Sequence, residues 1–163
     1  MAFAPLPHSL RHYVENILTP GEAETLAGFM GKVPFDLQAQ TGFGPVEGSW
    51  SPIRNVIAPM LELGADITRD SYARVESKKD GHGWHYDTGD SDHMTWCEWS
   101  ASVLLTTPDS FSGGVFQFAD PPEEHLAHYL DAIIYTSDEL HRVLPHHGNR
   151  KVLLVFLGAQ DGE

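Results

Sequence analysis

LHRVLPHHGNRKVLLVFL, from Leu140 to Leu157, is the stretch on which the fold turns. Its second half, Lys151 to Leu157, is a run of strand-forming apolar residues with a cation, Arg150, at its entrance. In a strand, successive side chains alternate between faces. Arg150 therefore shares a face with Val152, Leu154 and Phe156, and Lys151 takes the other. A guanidinium entering such a strand is either a surface residue at its start or a partner for a carboxylate held inside a barrel. Arginine suits the second role because its fork pairs bidentately with carboxylates. His141, in the first half, follows another apolar strand, Ala132-Ile133-Ile134-Tyr135. Alone, it reads better as a histidine at a turn before Pro145 than as a ligand.

Upstream lies a series of short segments of strand composition: Tyr72 to Glu76, Trp84 to Thr88, Ser100 to Thr107, Val115 to Ala119 and Asp131 to Thr136. Gly, Pro, Asp and Ser clusters separate them. Gly113-Gly114 falls between two of them and reads, at least in part, as a hairpin turn. The first third is different. Thr19-Pro20-Gly21-Glu22 has a cap residue, a proline at the first helical position and a glutamate closing a capping box. A helix is expected from there to about Met30, with Ala23, Leu26, Ala27 and Met30 near one face. Ser51-Pro52 repeats the signal. The helix it starts carries Ile53, Val56, Ile57, Met60, Leu61 and Leu63, and Pro59 is where it can kink. Helices followed by many short strands predict a mainly β domain of the α+β kind, a sandwich or barrel with helices outside one sheet.

The sharpest local signal is His85-Tyr86-Asp87. On a strand, residues two apart face the same way, so an imidazole and a carboxylate stand side by side. Such a pair is common by chance. With His141 arriving from a distant strand, it would complete a two-histidine, one-carboxylate facial set, which leaves positions open on iron(II). Other histidines compete. His82 is expected in the Asp80–Gly83 loop, and His146 and His147 in the turn before Arg150. His93 lies in the polar Gly89–His93 loop, and His8, His12, His125 and His128 read as surface residues. Trp84, Trp96 and Trp99 flank the site and read more readily as packing than as pocket walls.

The order of these features says more than any one of them. H-x-D, a strand, Gly-Gly, a strand, H-x-V-x-P and an arginine opening the last long strand resemble the iron(II)- and 2-oxoglutarate-dependent dioxygenases. Within them the chain is most similar to the prolyl 4-hydroxylase-like branch, especially the bacterial PKHD-type hydroxylases. Ser102 to Gly114 and Leu140 to Pro145 carry the likeness, which spans about residues 72 to 158. The resemblance implies a double-stranded β-helix, or jelly roll, with the N-terminal helices on its larger sheet. It implies a single domain over residues 1–163, with a helical lead-in to about residue 70 and a jelly-roll core over about 71–158. It also implies His85, Asp87 and His141 as Fe(II) ligands and Arg150 as the partner of the distal 2-oxoglutarate carboxylate, with ascorbate as an accessory reductant. The expected reaction hydroxylates an unactivated C–H bond and releases succinate and CO2. Its substrate would be a prolyl residue or an amino-acid-like molecule.

The chain departs from that branch in three places. The Pro145–Arg150 loop is one residue shorter than in the PKHD-type group, so the basic residue is Arg150 or Lys151; Gly148-Asn149-Arg150 favours Arg150. Ser77 and its neighbours stand where a tyrosine often precedes the first histidine. A tyrosine common on the next strand is replaced within Val103 to Thr106. Two rival classes share the ligand pattern. A cupin-like metal-binding jelly roll would not use 2-oxoglutarate and would leave an inward Arg150 without a partner. A zinc hydrolase would need a general base, and the sequence offers none at an identifiable position.

The bulk composition sets outer limits. The 163 residues carry a formal net charge of −13, with 41% hydrophobic and 20% charged residues. So acidic a chain argues against a phosphate-tracking nucleic-acid binder. Cys97 is the only cysteine, which excludes an intrachain disulfide and fits a reducing, cytoplasmic setting. No stretch reads as a signal peptide or a membrane span. Ten histidines direct attention to metals. The expected partner is a small-molecule or peptide substrate; oligomeric state leaves no mark on the sequence.

Overall fold

The structure, a computed structural model, describes residues 11–28, 31–34, 50–68, 70–88, 96–125 and 129–159. The capping box at Thr19 forms as the sequence predicts. Its hydroxyl accepts from the Glu22 N–H at 3.1 Å, and the Glu22 carboxylate accepts from the Thr19 N–H at 2.9 Å. Helix α1 spans Pro20–Ala27 and ends at Gly28, short of the expected Met30, which lies outside the described residues. Helix α2 spans Trp50–Glu62 and continues through Pro59. The apolar stripes of both helices, Ala23 and Leu26 with Ile53, Val56, Ile57 and Met60, are buried.

They pack on a large antiparallel sheet. Its strands are β1 (His12–Val14), β2 (Gly31–Pro34), β3 (Ala65–Asp66), β4 (Tyr72–Glu76), β6 (Trp99–Leu104), β10 (Ala132–Thr136) and β13 (Val152–Ala159), in the order β1-β10-β6-β13-β4-β2 with β3 pairing β13. One face of this sheet presents Ala73, Val75, Ala101, Val103, Ile134, Leu153, Val155 and Leu157 to the helices. A second sheet curls over the opposite face. It holds β5 (His82–His85), β11 (His141–Val143), β8 (Phe116–Ala119) and β9 (Pro122–His125), and the short pair β12 (His146–Gly148) and β7 (Phe111–Gly113) continues from it. Two curled antiparallel sheets with helices on the larger one form a jelly roll, as expected.

Several local expectations need correction. The strand expected over Trp84–Thr88 is His82–His85, so His82 opens a strand rather than sitting in a loop, and Asp87 lies beyond the strand's end. Gly113-Gly114 is not a hairpin tip. Both flanking strands continue along β11 and β12, and the glycines, at φ 80° and 74°, mark the break between them. His125 is not a surface residue: it is 8% exposed and its Nε2 lies 2.8 Å from the Tyr13 hydroxyl. His12 is half-buried, its ring 6.2 Å from Trp99. The short strands β1, β3, β7, β9, β11 and β12 escaped the sequence reading because two to four residues carry no readable period.

Candidate metal centre and cavity

His85, Asp87 and His141 come together although they sit on three different local structures. His85 ends β5, His141 begins β11, and the two are register partners. Asp87 lies in the bend after β5. Ser137 fixes that bend, because its carbonyl accepts the Asp87 N–H at 3.0 Å and the Thr88 N–H at 3.3 Å. Ser137 is itself held by its N–H on the Glu98 carbonyl at 2.9 Å and its hydroxyl on the Cys97 carbonyl at 2.6 Å.

Each ring has its tautomer set by a carbonyl. His85 Nδ1 is 2.6 Å from the Gly83 oxygen, and His141 Nδ1 is 2.8 Å from the Glu139 oxygen. A carbonyl can only accept, so Nδ1 donates in both, and Nε2 is the atom offered inward. Both Nε2 atoms stand 3.3 Å from Asp87 Oδ1. The three ligand atoms lie within 4.8 Å of one another. Asp87 Oδ2 accepts from the Tyr135 hydroxyl at 3.0 Å. Burial alone would raise the Asp87 pKa, but hydrogen bonds from His141 and His85 outweigh it and hold the carboxyl well below its usual range. Burial, and then the Asp87 charge, push the Tyr135 hydroxyl well up, so it stays protonated and can donate. Phe116 stacks on His141 at 5.3 Å with an 8° interplanar angle and fixes the ring from the other side.

These groups open on a cavity of about 340 Å³ between the sheets. Arg150 lines it together with Val152, Leu154 and Phe156, while the Lys151 amine turns outward to the Ala27 carbonyl at 3.2 Å. Arg150 is 9% exposed. Its Nε is buried without a hydrogen-bond partner, and no ion pair forms on its guanidinium among the described residues. Burial lowers its pKa, partly offset by Glu76.

Other sequence candidates fall elsewhere. His146 is buried against Phe111 outside the cluster of ligand atoms, and His147 is exposed. His8, His93, His128 and the Gly89–His93 loop lie outside the described residues. Trp84 is exposed beneath the Arg142 guanidinium, Trp96 meets Tyr72, and Trp99 packs at the helix-side core. The cavity's aromatic walls are instead Tyr72, Tyr86, Phe116, Tyr135 and Phe156. The β6 residue facing it is Ser102, and the tyrosine that touches the candidate ligand cluster is Tyr135, on β10.

No protein-family model and no curated sequence matches the chain. Solved structures do match its fold. A viral collagen prolyl hydroxylase from Paramecium bursaria chlorella virus-1, in complex with 2-oxoglutarate, aligns with a TM-score of 0.65 at 12% identity, covering 94% of this chain and 98% of that one. A Pseudomonas putida prolyl-4-hydroxylase aligns at 0.60 and 15% identity, covering 95% of each chain. A Trichoplax adhaerens prolyl hydroxylase, bound to a hypoxia-inducible-factor peptide fragment, aligns at 0.63 and 12% identity, covering 93% of this chain and 84% of that one.

Proposed function

Because its fold is that of the prolyl hydroxylases, we propose that this protein is an Fe(II)- and 2-oxoglutarate-dependent oxygenase that hydroxylates an unactivated C–H bond. The observation that carries this reading is Arg150, a buried guanidinium with an unpartnered Nε in the same cavity as a His-Asp-His cluster. Leaving such a donor unsatisfied is costly. A dicarboxylate reaching from the metal corner to Arg150 would satisfy it, and a metal-only jelly roll gives it nothing to bind.

In this reading His85 Nε2, His141 Nε2 and one Asp87 oxygen hold iron on one face. Tyr135 keeps the other Asp87 oxygen engaged and so orients the carboxylate. Arg150 takes the distal carboxylate of 2-oxoglutarate, and Val152, Leu154 and Phe156 keep that wall apolar. Iron and 2-oxoglutarate, when bound, supply the activation of dioxygen with release of succinate and CO2. Support also comes from the viral neighbour, which was solved with 2-oxoglutarate.

The test is direct. Purified protein should bind one Fe(II) per chain. Anaerobic addition of 2-oxoglutarate to that complex should produce a weak visible charge-transfer band, and aerobic incubation should yield succinate. Metal binding with neither a band nor calorimetric binding of 2-oxoglutarate would overturn the reading in favour of a cupin-like site.

A further inference from the structure

Arg74, Glu76 and His82 are the acidic and basic side chains of the cavity that remain once the metal corner and Arg150 have their roles. Strand β4 contributes Arg74 and Glu76, two residues apart and so on one face, and β5 contributes His82. His82 reaches the cavity through a bulge: His82 to His85 on β5 spans only His141 to Val143 on β11. The extra residue brings both histidine rings to the same side. Across the large sheet Glu76 pairs with Val152 and Arg74 with Leu154. From Arg150 to Leu154 the chain advances roughly 13 Å at strand spacing. Arg74 is therefore a second cation of the cavity, well away from the first. Its side chain is 43% exposed, whereas Arg150 is buried.

Arg74 and Glu76 form a loose ion pair with no hydrogen bond between the paired atoms. Arg74 Nε stands 3.6 Å from Glu76 Oε1, outside hydrogen-bonding range, and is buried without a hydrogen-bond partner. Glu76 Oε2 is held by His82 Nε2 at 2.7 Å, which orients the carboxylate and leaves Oε1 facing the arginine. One wall of the cavity thus offers a cation and an anion side by side. A simple anion drawn to Arg74 would be repelled by Glu76, and the uncharged backbone of an internal peptide segment would offer neither group an opposite charge. A zwitterion satisfies both. We propose, on the oxygenase reading, that the substrate is a free α-amino acid whose carboxylate is held by Arg74 and whose ammonium is held by Glu76.

The test uses the full chain loaded with Mn(II) and 2-oxoglutarate under argon, so that binding is read without turnover. Individual L-amino acids are titrated by calorimetry; for each that binds, its amide and its N-acetyl derivative follow. A free amino acid should bind, and blocking either charge should weaken it about tenfold or more. Arg74→Gln should weaken the free acid to a similar degree without further weakening the amide, and Glu76→Gln should do the same for the N-acetyl form. Both variants should keep their circular dichroism, and Arg74→Gln should bind 2-oxoglutarate within about twofold of wild type. The proposal is overturned if no amino acid binds, if blocked forms or short peptides bind as tightly, or if Arg74→Gln chiefly weakens 2-oxoglutarate. Should wild type fail to bind 2-oxoglutarate, the oxygenase reading falls separately. The amino-acid titrations, repeated without cosubstrate, then still decide the zwitterion site.

Discussion

A single methyl group on Gly114 would stand 2.4 Å from both Cδ and Nε of Arg150. The second glycine of the Gly113-Gly114 pair therefore leaves the corridor through which the arginine side chain reaches the cavity. Its φ of 74° adds a backbone reason for the same residue. Gly114→Ala should retain the fold and one metal per chain but lose 2-oxoglutarate affinity by about tenfold or more, since ~1.4 kcal/mol is tenfold. Parallel Mn(II) and 2-oxoglutarate titrations check this. Unchanged cosubstrate affinity would show that Arg150 can take another path, or another role.

Arg150 and Lys151 are adjacent cations on opposite faces of the sheet. Arg150→Ala should weaken 2-oxoglutarate binding by about tenfold or more, because hydrogen bonds to charged groups contribute roughly 1.5–3 kcal/mol. Arg150→Lys should recover only part of this, as an ammonium lacks the fork. Lys151→Ala should leave the cosubstrate untouched and cost only the contact with the end of α1. The reverse result, a large loss from Lys151→Ala alone, would mean that the register of β13 differs from the one described.

Tyr135→Phe removes the hydroxyl that donates to Asp87 Oδ2 while keeping the ring that packs on Phe116 and Phe118. Partners of ligand side chains commonly set 10- to 100-fold in metal affinity. A drop of about tenfold in Mn(II) affinity is expected, with little change in 2-oxoglutarate affinity at saturating metal. Equal metal affinity in the variant would make Tyr135 a packing residue only.

The candidate metal site should also be sensitive to protons in a defined direction. In the metal-free protein the Asp87 contact raises the His85 pKa above the ordinary histidine value, against the opposing effect of burial. A raised histidine contributes stability that is fully present below its unfolded pKa and is lost as pH rises through the folded one. Metal binding follows the opposite course, because it must displace the Nε2 proton. Mn(II) affinity should therefore climb between about pH 6 and 8, with proton release seen by calorimetry in buffers of different ionisation enthalpy. A flat affinity over that interval would put the metal on other groups.

What the sequence disclosed, and what it hid, follows from how polar residues alternate. Val152, Leu154 and Phe156 were assigned a face because Arg150 marked it, and the helices were legible from their apolar stripes and, for α1, from its capping box. Strand β4, by contrast, reads Tyr-Ala-Arg-Val-Glu, an alternation that describes a solvent face as well as it describes a wet cavity wall. Nothing local separates the two, so Arg74 and Glu76 drew no attention. Tyr135 was hidden inside an apolar run, where an aromatic residue looks like core. The His82 ring went astray for a third reason. A bulge changes which face a residue takes, and its position depends on the partner strand, far away in sequence.

Ser137 touches the chain on both sides of residues 89–95: Asp87 and Thr88 before them, Cys97 and Glu98 after. It works as a clasp that ties both sides together from a third point of the chain. Ser137 also begins the segment that leads from β10 to β11 and so to His141. The position of Asp87 is thus borrowed from the same turn that delivers His141, and a change in that turn moves two of the three candidate ligands together. Ser137→Ala should leave Mn(II) affinity within about threefold of wild type, because two of the three kinds of contact are made by the Ser137 backbone, whereas Ser137→Pro, which removes its N–H, should lower it by about tenfold or more.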